Sequence, residues 1–189
     1  MHPYGSGKIT CTSTNCKSDL HCFKFHSRKM PPEKRGTCRE CGADLVDWDR
    51  VQKRDLADID NTIESLKYEL IRHFAWHSII DEKAVNHARR KGRNGMETAV
   101  EARLANALTP AEPARDGRQT PMDGGNAIYY AQHATATCCR TCLDYWHGIP
   151  AKRQLTEGEV AYCKDLIMAY IDYKLPYLTL DGEKVPRRR

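Results

Sequence analysis

Apolar residues recur at the spacing of an α-helix along most of the chain after residue 55. One apolar face precedes residue 78, a second precedes Thr109-Pro110, and a third follows Thr156. An apolar residue at every third or fourth position buries one side of a helix, so each face predicts one helix. The positions are 56, 59, 63, 66, 70 and 74, then 100, 104 and 108, and then 160, 163, 167, 170 and 171.

Capping signals place the helix ends. Asp81 is a good N-cap for a short helix that Gly92 would stop, and a capping box begins at Thr156. A further helix is expected over about 135–145, whereas the apolar run 126–132 suggests a short buried strand or extended entry. We therefore predict a mainly α protein with about five helices in one domain, preceded by a small N-terminal zinc ribbon.

The zinc ribbon is predicted from cysteines rather than from an apolar pattern. The sequence Cys38-Arg-Glu-Cys41-Gly42 has the spacing of a zinc knuckle, in which two thiolates reach one ion and glycine permits the tight turn. The preceding segment 17–37 has too few aliphatic residues to form a core. We therefore expect a bound metal to hold this segment together.

A tetrahedral ion needs two further ligands, and the sequence offers two pairs. Four residues separate Cys11 from Cys16, and this pair lies upstream at a plausible distance, so we favour it. Cys22 and His26 are the competing pair. The predicted ligands of the N-terminal site are therefore Cys11, Cys16, Cys38 and Cys41, with that alternative open.

A second cysteine cluster lies in the C-terminal half. Fifteen residues contain His133, Cys138, Cys139, Cys142 and His147. On a helix, Cys138 and Cys139 would point in different directions, so only one of them would share a site with Cys142. We predict a zinc site formed by His133, Cys139, Cys142 and His147. A cysteine nucleophile paired with one of the histidines, or buried thiols beside packing histidines, are the alternatives.

Composition limits the setting. The chain has 189 residues and a net charge of +5, with no apolar run of 18 residues and no signal-peptide pattern at its start. We therefore expect a cytoplasmic protein that does not enter a membrane. Cysteines stay reduced in that compartment, and clustered thiols then suggest metal binding rather than disulfides. Zn²⁺ is the predicted cofactor.

Basic residues suggest a nucleic-acid partner. Arg89, Arg90, Lys91 and Arg93 form a short run that would contact phosphates, although cations are also favourable at a helix C-terminus. The irregular loop 109–125 contains three prolines and carries the polar residues Asp116, Arg118, Gln119 and Thr120. Loops of this length often have a function.

Several longer motifs resemble a known family. The loop Gly117–Met122, the segment Ala131–Leu143, the turn Trp146–Pro150 and the final helix beginning at Leu155 resemble domain of unknown function family 4186, found in bacteria and phages. The resemblance covers roughly residues 75–175. It brings no agreed activity, but it implies that the 117–122 loop and the cysteine-rich segment belong to one site.

The predicted organisation follows from these patterns. Residues 1–54 form a zinc-ribbon-like domain that only some relatives would carry, residues 55–178 a helical domain, and residues 179–189 a basic tail. We expect a zinc protein that binds DNA or RNA. One alternative is a glycosylase- or nuclease-like enzyme using His133 and Asp116 as acid and base, with Arg118 holding a phosphate. Another is a protein-interaction module whose zinc is purely structural.

Overall fold

A computed structural model describes residues 9–122 and 124–185. Seven α-helices lie in these ranges, where the sequence predicted about five: α1 (Trp48–Gln52), α2 (Ile59–Lys67), α3 (Leu70–His77), α4 (Glu82–Ala107), α5 (Ala127–Ala134), α6 (Arg140–His147) and α7 (Glu157–Lys174). Short 3-10 turns occupy Cys16–Ser18, Pro32–Lys34 and Leu56–Asp58. The described chain has no sheet and contains only two isolated β-bridges. The prediction of a mainly α protein is confirmed.

The main core lies between four helices. α3 packs on α5, α4 packs on α7, and α5 lies against both α4 and α7. Helix α7 begins with the predicted capping box, in which the Thr156 hydroxyl accepts from Glu159 N and the Glu159 carboxylate accepts from Thr156 N. This reciprocal pairing satisfies two backbone donors at the helix start. The apolar face of α7 is buried, as the pattern predicted.

Two predicted elements differ from the structure. The expected helix over 55–77 is divided at Tyr68 and Glu69, so it forms α2 and α3. The expected strand over 126–132 is instead helix α5. The Asn126 side chain accepts from Ile128 N at 3.0 Å and caps this helix. Ala127 and Ala131, four residues apart, are both fully buried on one helix face.

Helix α4 contains the predicted interruption at Gly92, where φ is +66° and ψ is 175°. Residues 179–183 lie against this interruption: Arg93 N donates to Thr179 O at 2.8 Å, and Glu183 N donates to Arg89 O at 3.0 Å. The sequence predicted a basic tail over 179–189. Residues 179–185 of this predicted tail belong to the described chain, and residues 186–189 lie outside the described chain.

The N-terminal segment, residues 9–47, packs on the helical part through a second core. The aromatic rings of Phe23, Trp48 and Trp146 meet there, with centroids 5.0 to 5.9 Å apart. Val51 and Leu66 complete its apolar contacts, and both are fully buried. Both cysteine clusters border this second core.

Candidate metal centres

Four side chains of the N-terminal segment meet at a first candidate metal centre. The ligand atoms of Cys16, His21, Cys38 and Cys41 all lie within 4.8 Å of one another. Cys16 Sγ lies 3.8 Å from Cys38 Sγ, and Cys41 Sγ lies 3.4 Å from His21 Nδ1. A tetrahedral zinc ion with Zn–S distances near 2.3 Å separates its sulfurs by about 3.8 Å. The spacing therefore fits one zinc ion.

The knuckle at Cys38 has the geometry that thiolate ligands require. Gly42 adopts φ +78° and donates its N–H to Cys38 O at 2.8 Å, and Cys38 N donates to Ala43 O at 2.8 Å. Burial disfavours the Cys38 thiolate, but hydrogen bonds from the Cys41 backbone and nearby groups outweigh burial and lower its pKa to about 6. Cys38 can therefore bind a cation as thiolate near neutral pH.

His21 takes the place that the sequence assigned to Cys11. Its Nε2 lies 2.9 Å from Asp19 Oδ1, so the carboxylate fixes the ring and leaves Nδ1 facing the thiols. A carboxylate on the second ring nitrogen is the usual support of a metal-binding histidine. The Asp19-Leu-His21 spacing is the sequence signal for this ligand. Its backbone is also fixed, because His21 N donates to Tyr68 O at 2.7 Å and Leu70 N donates to His21 O at 3.0 Å.

The other candidates for this centre lie elsewhere. Cys11 is not among the four clustered side chains, and a hydrogen bond with Cys142 and burial raise the pKa of its thiol. Cys22 is fully buried and its thiol donates to Cys11 O at 3.2 Å. His26 accepts the N–H of Arg28 at Nδ1, at 3.3 Å. Neither member of the alternative pair, Cys22 or His26, joins the four clustered side chains.

Three buried thiols form a second candidate centre. Cys138, Cys139 and Cys142 have sulfurs within 4.8 Å of one another, and Cys138 Sγ lies 3.5 Å from Cys142 Sγ. All three converge because α6 begins only at Arg140. Cys139 is the extended N-cap residue, with φ −162° and ψ 166°. The sequence argument that Cys138 and Cys139 diverge assumed a helix from 135, and it was wrong for that reason.

A buried ion pair supports this second centre. Arg72 Nη2 donates to Cys142 Sγ at 3.1 Å, its Nη1 approaches Cys138 Sγ at 3.7 Å, and its Nε donates to Glu69 at 3.1 Å. The Glu69 carboxylate also accepts from Tyr145 Oη at 2.9 Å and from Trp146 Nε1 at 2.8 Å.

Neither charged group of this pair reaches solvent, and the sequence analysis identified neither of them. Their i,i+3 spacing near the break between α2 and α3 was the available signal. The hydrogen bonds of Cys142 with neighbouring thiols, and then the positive charge of Arg72, lower its pKa well below that of a free thiol.

The two histidines expected at this centre are engaged in other contacts. His147 Nε2 donates to Thr135 O at 2.9 Å, so its Nδ1 accepts from Tyr162 Oη at 3.0 Å. His133 Nε2 lies 3.2 Å from Thr120 O, and its Nδ1 is buried without a hydrogen-bond partner. Burial lowers the pKa of each histidine to about 4, so both are neutral. The structure places both outside the cluster of thiols.

The 117–122 loop lies directly on the second centre, which agrees with a single shared site. Thr120 Oγ1 donates to Cys138 O at 2.8 Å. Asp116 accepts from Arg140 N at 2.9 Å and thereby caps α6. In the described chain no hydrogen bond joins Asp116 to His133, and Arg118 is exposed. The geometry therefore gives the proposed acid–base pair no support.

The basic run of α4 is partly neutralised. Arg93 donates twice to Asp172 at 3.0 Å, and Arg89 pairs with Glu183. Arg90 and Lys91 are exposed. Two of the four side chains predicted to contact phosphates are therefore already paired with carboxylates.

An aromatic cleft of about 360 Å³ opens between the N-terminal segment and α6. The Arg35 guanidinium lies 4.5 Å from the centre of the Phe25 ring, and both residues line the cleft. Trp48, whose Nε1 donates to Gly36 O at 2.9 Å, forms another wall. The lining residues are Phe23, Phe25, Arg35, Gly36, Trp48, Gln52, Asp144, Tyr145 and Gly148.

Comparison with known proteins assigns the helical part to a family. No solved structure matches the chain. A family model matches residues 60–172, which is more than half of the chain and includes the second centre, the 117–122 loop and most of α7. The chain therefore belongs to the family described as domain of unknown function DUF4186.

Proposed function

We propose that the protein is a zinc protein that binds single-stranded nucleic acid through the aromatic cleft. The observation that carries this proposal is the pairing of aromatic rings with a guanidinium in a cleft supported by two sets of metal ligands. Aromatic side chains stack on unpaired bases, and arginine adds a cation–π contact and a phosphate partner. The two zinc ions would be structural and would fix the walls of the cleft.

Zinc is the proposed ion because of the donors. The first cluster offers three thiols and one imidazole, and the second offers buried thiols only. Soft sulfur and nitrogen donors at tetrahedral spacing favour Zn²⁺ over Mg²⁺ or Ca²⁺, which take oxygen ligands. An iron–sulfur cluster would need its cysteines spread around several iron atoms, whereas 3.5 Å between Cys138 Sγ and Cys142 Sγ suits a single ion.

The cleft suits a base better than a small charged metabolite. Its volume of about 360 Å³ is at the lower end of ligand sites, and Phe25, Trp48 and Tyr145 contribute three aromatic walls. Asp144 at its edge is exposed and can accept from the amino groups of a base. We assign phosphate contacts to Lys24 and to Lys34, the latter exposed, because each is the sequence neighbour of a cleft residue.

The test measures binding of fluorescent single-stranded DNA and RNA oligonucleotides to the zinc-loaded full chain. We expect binding at low salt that weakens as salt rises, because phosphate contacts release counterions. Phe25→Ala removes one stacking ring and should weaken binding by about tenfold, since a stacked base contributes about 1–3 kcal/mol. Arg35→Ala should also weaken binding.

Arg118→Ala is the matched control, because Arg118 is exposed and does not line the cleft. It should bind like the unmodified protein, and all variants should keep their zinc. Absence of binding to both DNA and RNA at low salt would overturn the proposal. Equal losses in Arg35→Ala and Arg118→Ala would show a diffuse charge effect and would remove the cleft from the interface.

A further inference from the structure

We infer that the aromatic cleft is specific for guanine and that Asp144 is the residue that selects this base. The inference rests on the proposed binding of single-stranded nucleic acid, and it names the base that the cleft takes. Asp144 lies in α6 next to Tyr145, one of the aromatic walls, and both residues line the cleft.

Asp144 brings to the cleft a carboxylate that no described side chain neutralises. The residue is exposed, and among the described residues its side chain takes part in no hydrogen bond or ion pair. Its backbone is fixed, because Asp144 O accepts from Gly148 N at 3.1 Å. An ionised carboxylate accepts hydrogen bonds and donates none. The cleft therefore favours a ligand that has donors at this edge.

The bases differ in what they can offer to a carboxylate. Guanine alone has two neighbouring donors on its pairing edge, the ring N1–H and the exocyclic amino group, and one carboxylate can accept both. Adenine and cytosine place a ring-nitrogen lone pair beside the amino group, and uracil and thymine flank a single N–H with two carbonyls. These lone pairs repel a carboxylate. Because unpaired bases expose this edge to protein side chains, Asp144 favours guanine.

Gln52 can bind the remaining polar group on that edge of guanine, the O6 carbonyl. Gln52 is exposed and lines the same cleft. Its Nε2 lies 3.5 Å from Tyr145 O, which is long for a hydrogen bond, so this donor can turn to a ligand at little cost. A carboxylate and an amide then match the donors and the acceptor of guanine.

The aromatic walls of the cleft are held in place by their own hydrogen bonds. Tyr145 Oη donates to the Glu69 carboxylate at 2.9 Å, and Trp48 Nε1 donates to Gly36 O at 2.9 Å. The Trp48 ring also packs edge-on against Phe23, with centroids 5.7 Å apart. A base stacked on fixed walls has little freedom to slide, so its edge meets the same polar groups each time.

The experiment measures binding of fluorescent oligothymidine with one central guanine, hypoxanthine or adenine to the zinc-loaded full chain at low salt. The guanine oligonucleotide should bind about tenfold more tightly than the adenine one, which is modest for a bidentate contact because Asp144 is exposed. Hypoxanthine keeps N1–H but lacks the amino group, so its affinity should lie between those of the other two.

The Asp144→Asn variant replaces one acceptor oxygen by a donor, which is the pattern that pairs with adenine. It should lose the guanine preference and favour adenine. Asp49→Asn is the matched control, because Asp49 is exposed and adjoins Trp48 in sequence but does not line the cleft. It removes the same charge, so it should affect all three oligonucleotides alike and keep the guanine preference.

Equal affinity of the unmodified protein for the three oligonucleotides would overturn the guanine assignment while leaving nucleic-acid binding intact. A guanine preference that persists in Asp144→Asn would overturn the role of Asp144. Absence of binding to every oligonucleotide would overturn both the inference and the proposed function. The first comparison changes only the ligand, so it does not depend on the folding of any variant.

Discussion

Arg72 connects a buried ion pair to the cluster of thiols at the second centre. It is fully buried, pairs with the equally buried Glu69, and donates to the Cys142 thiol. Its Nη1 also donates to His133 O at 2.7 Å, so both arms of the guanidinium are satisfied. A buried charge of this kind is tolerated only while its partners remain in place.

The Arg72→Met variant should therefore be strongly destabilised. Methionine fills much of the space but leaves Glu69 without its cation, and loss of one partner of a buried ion pair costs about 3–5 kcal/mol. Urea unfolding of the zinc-loaded protein measures this change. Arg118→Met, at an exposed position, is the control and should change stability little. A loss of under 1 kcal/mol in Arg72→Met would show that the buried Glu69 carboxyl does not depend on this cation.

His147 should make stability depend on pH. Burial lowers its folded-state pKa to about 4 from 6.5, so its contribution is complete above about pH 6.5 and is lost as pH falls toward 4. Between pH 7 and pH 5 this histidine should cost the protein about 2 kcal/mol.

His147→Gln removes the titrating group but keeps a donor and an acceptor. Urea unfolding at both pH values should show a smaller decrease for the variant than for the unmodified protein. Acid release of any bound metal should affect both proteins alike, so the difference between them isolates the histidine. Equal decreases would place the pKa of His147 near its ordinary value.

At the scale of elements, the break in α4 holds the C-terminal residues. A Cβ added at Gly92 would lie 2.5 Å from Asp181 C and 2.7 Å from Leu180 O, both backbone atoms that cannot move aside cheaply. The glycine also has φ +66°, which side chains rarely adopt. The break in the helix and the docked segment therefore depend on each other.

Gly92→Ala should destabilise the protein by about 1–3 kcal/mol and release residues 179–183. Hydrogen exchange of that segment, with thermal unfolding, measures both effects. Gly158→Ala is the matched control, because a Cβ there meets nothing within 4 Å and Gly158 lies in α7. Unchanged protection of residues 179–183 in Gly92→Ala would contradict this account.

Among the helices, the sequence predicted the starts and stops whose signals lie within a few neighbouring residues. The capping box at Thr156 and the stop at Gly92 were visible because their signals lie within a few residues. The strand expected over 126–132 was wrong, because so short an apolar run does not show the periodicity that distinguishes a helix from a strand. The start of α6 was misplaced by five residues, and this error alone separated Cys138 from Cys139.

At the scale of the molecule, the N-terminal segment and the helical part share one core. Phe23 packs edge-on against Trp48 and Trp146, and Leu66 of α2 contributes to the same cluster. The ligands of both centres border it. The sequence predicted Cys16, Cys38 and Cys41 from their spacing, whereas His21 is placed by backbone hydrogen bonds with Tyr68 and Leu70, which are distant in sequence. No helix in the described ranges is long and apolar enough to cross a membrane.

Removal of zinc from the full chain should expose this shared core. Without metal the segment 9–47 has few aliphatic contacts to hold it in place, so Trp48 and Trp146 should become exposed to solvent. Strong chelation should shift tryptophan fluorescence to longer wavelength, and added zinc should reverse the shift. Helical circular dichroism should fall only modestly, because the main core between α3, α4, α5 and α7 contains neither cluster. An unchanged spectrum in protein shown to be free of metal would contradict this prediction.

The β-bridge between His21 and Glu69 should couple metal binding at the two candidate centres. On one side of the bridge is a ligand of the first centre, and on the other is the carboxylate that fixes Arg72 at the second. An ion that orders either side therefore orders the other. Metal loading should be cooperative, and thermodynamic linkage requires that each ion raise the affinity for the other by the same factor.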